Sequence, residues 1–249
     1  MLTYTMDVLP ESIWLRTTPG ASAMGQPYVC TEAGQYLAQG HFSTARTHKE
    51  SYLLFYTLRG AGLIEQGDDR VLLRAGQALL MDCRKPQRYA TAPGQHCWHH
   101  DWVHLDGAGV AAMAEWLIPE GKLTPITLTD QKVEEQFKTI FAELESGTVD
   151  SMLQVSLALH QLLTLCAQGL LNQEQTESNQ QVIQQAAQTI REKYNQPLSL
   201  NDLLRQAHMS RSYFLRLFRR YMCTPLQLRQ PPQQKSRNGA KIKQTKRCM

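Results

Sequence analysis

Residues 199–221, SLNDLLRQAHMSRSYFLRLFRRY, constrain this chain more than any other stretch. Asn201 or Ser199 can cap a first helix that carries Leu200, Leu203 and Leu204 on one face, and Ala207, His208 and Met209 form a corner. Ser210 supplies an N-cap hydroxyl to a second helix, in which Phe214, Leu217, Phe218 and Tyr221 recur at helical spacing and make one buried stripe. The opposite face presents Arg211, Ser212, Leu215, Arg216 and Arg219. A short helix with an apolar back and an arginine front suits the major groove of DNA, where arginine bonds guanine bidentately. The competing reading is a surface helix whose arginines are merely solvated. Against it stand the preceding amphipathic helix, the one-signed exposed face, and Leu215, which gains little in water but can touch a thymine methyl.

Charge is divided along the chain in the same sense. Residues 1–178 hold 12 Lys/Arg and 20 Asp/Glu, whereas residues 179–249 hold 14 and 2, so a formal total of +4 hides an acidic body and a basic end. Such asymmetry points to a polyanion partner for the basic part and leaves sensing or oligomerisation to the acidic one. With 249 residues there is room for one larger and one small domain. No run of about 18 apolar residues implies a membrane span, and MLTYTMDVLPESIW lacks the basic and apolar regions of a secretory signal. Cys30, Cys83, Cys97, Cys166, Cys223 and Cys248 are scattered without a C-x-x-C pair, which suits the reducing cytoplasm better than a disulfide framework.

Residues 28–105 read as short strands broken by turns. Tyr52–Leu58 is a continuous apolar run, followed by a bend at Arg59-Gly60-Ala61-Gly62. Leu63–Glu65 pairs with Val71–Leu73 across Gln66-Gly67-Asp68-Asp69, and Ala75-Gly76 turns the chain before Ala78–Met81. Alternation from Cys97 to Leu105 puts Trp98, His100, Trp102 and His104 on one face. These features predict a small β-barrel or sandwich. A helix from Val133 buries Phe137, Ile140, Phe141 and Leu144. Another, from Asp150 to Leu171, is apolar on more than one side and needs a second surface besides the barrel, either a dimer partner or another part of this chain. QEQTESNQQ, residues 173–181, reads as a linker, and a new helix from Val182 runs to Tyr194 before Asn195-Gln196-Pro197 ends it.

Residues 182–225 resemble the first helix-turn-helix of the AraC/XylS-type transcription regulators, through "I-x-x-x-Y-x-x-P-L-S-L", "A-x-M-S-R-S-Y-F-x-R-L-F" and the trailing T-P. Residues 48–107 are similar to the cupin-type arm domain of sugar-responsive members, through Tyr52-Leu53-Leu54 before Leu58-Arg59-Gly60, the Ala75-Gly76 corner and WHHDWVHLDG at Trp98–Gly107. The resemblance implies an α+β chain: a cupin-like β-barrel with two packed helices, then a small all-α helix-turn-helix domain truncated at its C-terminus. It implies a cytoplasmic regulator that binds double-stranded DNA, takes a small effector such as a sugar, and forms a homodimer. On the matching positions, Ser212, Leu215 and Arg216 would contact bases, while Ser210, Arg211 and Arg219 would sit near phosphates at the helix N-terminus.

The expected divisions are 1–172 for the effector-binding and dimerisation domain, 173–181 for the linker, 182–226 for the partial DNA-binding domain and 227–249 for a basic, disordered tail. The family carries two helix-turn-helix units joined by a long helix, and here the pattern stops after the first. Met222-Cys223-Thr224-Pro225 lacks the family's glycine, and the following segment has seven basic residues and no acid. A reading frame lost near Cys223 would account for this and would impair specific DNA binding.

The remaining candidates concern the barrel. His41, His48, His96, His99, His100 and His104 lack the H-x-H pair, nearby acid and later histidine of a metal cupin, so we expect no metal and no cofactor. No nucleophile elbow, Walker loop or dinucleotide fingerprint appears, and an enzyme is not expected. A metal-dependent cupin enzyme and an effector-binding fragment without productive DNA binding are the rival readings. Arg46, Tyr52, Tyr56, Trp98 and Trp102 are nominated for the effector pocket because sugar sites combine aromatic faces with charged donors. The aromatic ones can equally be barrel core.

Overall fold

A computed structural model of the chain describes residues 1–128, 131–192 and 198–222, apart from the side chains of Glu177 and Arg220. The expected turn at 195–197, the break near Cys223 and the basic tail lie outside the described residues. In chain order the strands are β1 (Leu2–Thr5), β2 (Ile13–Arg16), β3 (Val29–Gln39), β4 (Ser43–Arg46), β5 (Tyr52–Gln66), β6 (Asp69–Arg74), β7 (Gln77–Asp82), β8 (Gln87–Thr91), β9 (Cys97–Asp106) and β10 (Ile126–Thr127). The helices are α1 (Ala21–Met24), α2 (Ala108–Leu117), α3 (Lys132–Ser146), α4 (Val149–Glu192), α5 (Leu200–Ala207) and α6 (Arg211–Met222). Among the described residues no helix is long and apolar enough to cross a membrane. The chain divides into two compact units between Glu174 and Gln175.

The first unit is a curled antiparallel sheet with the strand order β1-β4-β8-β5-β9-β3-β2, from which β6, β7 and β10 branch through β5 and β7. Period-two alternation gives its central strands two different buried faces. One, built from Phe42, Leu53, Phe55, Ile64, Leu79, Met81, Trp98 and Trp102, fills the inside of the curl. The other, from Leu54, Tyr56, Leu80, Val103 and Leu105, packs beneath Val110, Phe137, Ile140, Leu159, Leu162 and Leu163 of α2, α3 and α4. Burial on both faces explains why Tyr52–Leu58 reads as an unbroken apolar run. The fold is thus the cupin-like half-barrel with helices following it that the resemblance implied.

Two local expectations need correction. Arg59–Gly62 is not a bend between strands but part of the 15-residue β5. Pairing with β9 shifts register between Thr57 and Arg59, and Gly60 takes φ 75°, so the strand turns sharply without losing its partners. Beyond Gly60 it pairs with β6 and β8. The helix expected to begin at Val182 is continuous with α4, so residues 173–181, read as a linker, are helical, and the division between the two units falls among them. Gln and Glu have helix propensities close to that of Leu, and the segment contains neither Gly nor Pro. Gln173 accepts from the Thr127 backbone N–H at 2.7 Å and so belongs to the barrel unit. The β5–β6 hairpin has the expected register, Ile64 opposite Val71 and Gln66 opposite Asp69, with Gly67 at φ 60° in its turn.

In the second unit Ile183, Ala186 and Ala187 of α4 close a small core with Leu203 of α5 and Phe214, Leu217 and Phe218 of α6. Ser199 settles the N-cap of α5 in a reciprocal box. Its hydroxyl accepts from Asp202 N–H at 3.2 Å, and the Asp202 carboxylate accepts from Ser199 N–H at 3.2 Å. His208 ends α5 at φ 50°, the left-handed conformation that makes the corner. Ser210 then caps α6, its hydroxyl accepting from Tyr213 N–H at 3.4 Å.

Candidate functional site

A cleft opens into the curl of the first unit. Its walls are the inward residues of seven strands: Leu2 and Tyr4 of β1, Trp14 and Arg16 of β2, Glu32 and Tyr36 of β3, Thr44 and Arg46 of β4, Leu53 and Phe55 of β5, Tyr89 of β8, and Trp102 and His104 of β9, with Met6 beside them. Cross-strand register brings the β3, β5 and β9 members together, since His104 lies opposite both Glu32 and Leu53, and Trp102 opposite Phe55. The β1 residues come from the far end of the sequence because Leu2 pairs with Arg46.

The lining combines flat aromatic faces with charge. Tyr36 stands 5.2 Å from Trp102 and 6.5 Å from Trp14, centroid to centroid, and the Arg16 guanidinium lies 4.1 Å over the Trp14 ring. Lys49 approaches Glu32 at 2.8 Å, and burial lowers the lysine pKa while Glu32 pulls it up. The His104 Nδ1 lies 2.9 Å from the Ser51 hydroxyl. Burial, reinforced by the Lys49 and Arg46 charges, holds its pKa well below the usual imidazole range, so the ring is neutral. Burial likewise pushes the Tyr36 and Tyr89 phenols up, and both stay protonated.

Of the residues nominated from sequence, the structure brings Arg46 and Trp102 to the cleft. Tyr52 and Tyr56 share the face of β5 that looks toward the helices. Tyr56 stacks at 6.4 Å on Phe137, and Arg84 lies 5.0 Å over Tyr52. Trp98 is inside the curl but does not line the cleft. It is fully buried, stacked 3.7 Å from His100, and its indole N–H donates to Thr57 Oγ1 at 3.0 Å. The sequence reading missed Trp14, Arg16, Glu32, Tyr36, Phe55, Tyr89 and His104. Alternation already put His104 on the Trp102 face, but nothing local placed β2 and β3 opposite them.

The histidines are dispersed. His48 sits outside the barrel, 2.8 Å from Glu50, and His100 contacts the Trp98 carbonyl through Nδ1 at 2.9 Å. Among the described residues no group of three or more His, Cys, Asp or Glu stands close enough to hold a metal ion.

On α6, Arg211, Ser212, Arg216 and Arg219 are exposed, as is Ser210 at its cap. The Arg216 guanidinium lies 5.1 Å over the Tyr213 ring. Leu215 departs from the expected exposed position. It is half-buried against the core of this unit, at the edge of the stripe made by Phe214 and Phe218.

The AraC-like ligand binding domain matches residues 29–163, and the bacterial regulatory helix-turn-helix of the AraC family matches residues 190–230. The chain belongs to the AraC family. Its relative the Msm operon regulatory protein of Streptococcus mutans is 24% identical over 187 residues, covering 72% of this chain and 66% of that protein. The chain therefore matches just under two thirds of that relative's length. Among solved structures, this AraC family chain is similar to the AraC-like transcriptional activator CuxR, at 12% identity over 88% of each chain and a TM-score of 0.41. It is also similar to the Cupin_2 domain of an XRE family transcriptional regulator from Enterobacter cloacae, at 12% identity, 37% of this chain, 95% of that one and a TM-score of 0.29.

Proposed function

We propose that the chain is a DNA-binding transcription regulator of the AraC type, acting in the cytoplasm, whose barrel cleft takes a small sugar-like effector. The exposed face of α6 carries this reading. A capped helix with a buried aromatic back offers Ser212 and Arg216 to base edges, with Leu215 at the border of that face. Ser210, Arg211 and Arg219 flank them toward phosphates. The cleft supports an effector role because aromatic faces and polar groups converge in it.

Homodimerisation is part of the proposal. Val149, Leu153 and Leu157 recur every fourth residue along α4 and are 70%, 47% and 52% exposed, an apolar stripe that a second copy would cover. Leu153→Glu combined with Leu157→Glu should convert the species seen by sedimentation from dimer to monomer, and a monomeric parent protein would remove this part of the reading.

Selection of sheared genomic DNA by the purified chain, at low and moderate salt, tests the regulator reading directly. An enriched motif that survives moderate salt is expected. Uniform recovery that vanishes as salt rises would leave only non-specific attraction.

A further inference from the structure

The lining of the cleft bears on the charge of its occupant, an inference that rests on the effector reading above. Arg16 and Arg46 line the cleft together with one acid, Glu32, and Glu32 is already held by Lys49 at 2.8 Å. Among the described residues neither Arg16 nor Arg46 has a carboxylate within ion-pair distance. Arg46 is half-buried, so its guanidinium lacks the full hydration it would have in water, and a cleft of this kind concentrates the field of its unmatched cations.

Hydrogen-bonding capacity leans the same way. Trp102 is 5% exposed and lines the cleft, yet its indole N–H has no partner among the described residues. Indole and guanidinium nitrogens donate and never accept. These indole and guanidinium donors favour a ligand rich in acceptor oxygens, and a carboxylate or phosphate brings acceptors alone where each hydroxyl of a neutral polyol also brings a donor. The neutral His104 beside Arg46 fits a region of positive potential.

We propose that the cleft is anion-selective: it takes a ring-shaped small molecule bearing a carboxylate or phosphate, an acid sugar and not a neutral one, with Arg46 as the main charge partner and Arg16 at the rim. Arginine meets such groups with paired, charge-assisted hydrogen bonds.

The test uses the full chain and matched ligands: D-glucuronate, D-galacturonate and D-glucose 6-phosphate against D-glucose and D-galactose, followed by calorimetry. At least one acid should bind about tenfold or more tightly than its neutral counterpart, and Arg46→Gln should erase the difference. The uronates and the phosphate separate the two acid chemistries. Independently, tryptophan quenching by iodide relative to neutral acrylamide should fall in Arg46→Gln, because Trp14 and Trp102 line the cleft. Neutral sugars binding as tightly as the acids, or an iodide-to-acrylamide ratio unaltered by the substitution, would overturn the proposal. If no sugar in the panel binds, the quenching ratio decides. Should Arg46→Gln lower the melting temperature, Arg16→Gln at the exposed rim provides the same comparison. Acids that bind but leave DNA selection unchanged would defeat the regulator reading and leave anion selectivity standing.

Discussion

At the scale of single residues, close packing makes certain positions intolerant in ways that follow from neighbouring strands. Gly62 lies against the face of Trp98, and a Cβ there would overlap the indole. Trp98 cannot retreat, since it is stacked on His100 and bonded to Thr57. Gly62→Ala should therefore destabilise the barrel unit by about 1–3 kcal/mol, the usual range for overpacking. Urea unfolding followed by tryptophan fluorescence measures this cleanly, because Trp14, Trp98, Trp102 and Trp116 all belong to the barrel unit. Arg216 is a residue of the opposite kind, exposed and bearing on function alone. Arg216→Ala should reduce discrimination between DNA sequences by about 1–3 kcal/mol if it reads a base. An equal loss on every sequence, measured by competition binding, would make it a phosphate contact instead.

At the scale of elements, local chemistry explains most of what forms. Caps, turn glycines and apolar periods announced α3, α5, α6 and the β5–β6 hairpin, because each is decided within a few residues. The capping box at Ser199 makes this measurable: Ser199→Ala should cost the helix-turn-helix unit about 1 kcal/mol. His208→Gly, by relieving a left-handed residue that bears a Cβ, should raise its stability by about 0.5–1 kcal/mol. Thermal unfolding followed by helix circular dichroism reports both. Elements whose limits depend on partners were harder to read. Continuous β5 survives its glycines because the bulge near Leu58 passes it from one set of neighbours to another. Polar residues 173–181 stay helical because side chains such as Gln173 find hydrogen-bond partners beside α4.

At the scale of the molecule, burial of titratable groups sets how the barrel responds to pH. Burial lowers the His100 pKa to about 3 and that of His104 well below 6.5, while it raises that of Asp101 to about 7 despite the bond donated by Gln35. Between about pH 4.5 and 5.5 the unfolded chain takes up protons at both histidines that the folded one refuses, and the folded chain keeps one at Asp101 that the unfolded one has released. The unfolded state thus binds one net proton more, and stability should rise with pH by about 1.4 kcal/mol per unit. Asp101→Asn removes the opposing contribution and should steepen the dependence to about twice that. Urea titrations across this window, read by tryptophan fluorescence, check the slope. A flat profile in the parent protein would show that these groups ionise in the folded barrel.

What the sequence determined by itself is what short stretches encode: a capped helix-turn-helix with an arginine face, strand alternation on β9, and a charge division that separates an acidic body from a basic end. Period, cap and turn are local, so no partner is needed to read them. The tertiary structure decided the cleft. Whether Phe55 or Tyr56 faces inward depends on the pairing of β5 with β7 and β9, and a shift of one residue would exchange them. Likewise, Glu32 meets His104, and Leu2 lies beside Arg46, only because register joins strands distant in sequence. Arg46 and Trp102 could be nominated by chemistry, but the company they keep is a property of the closed sheet.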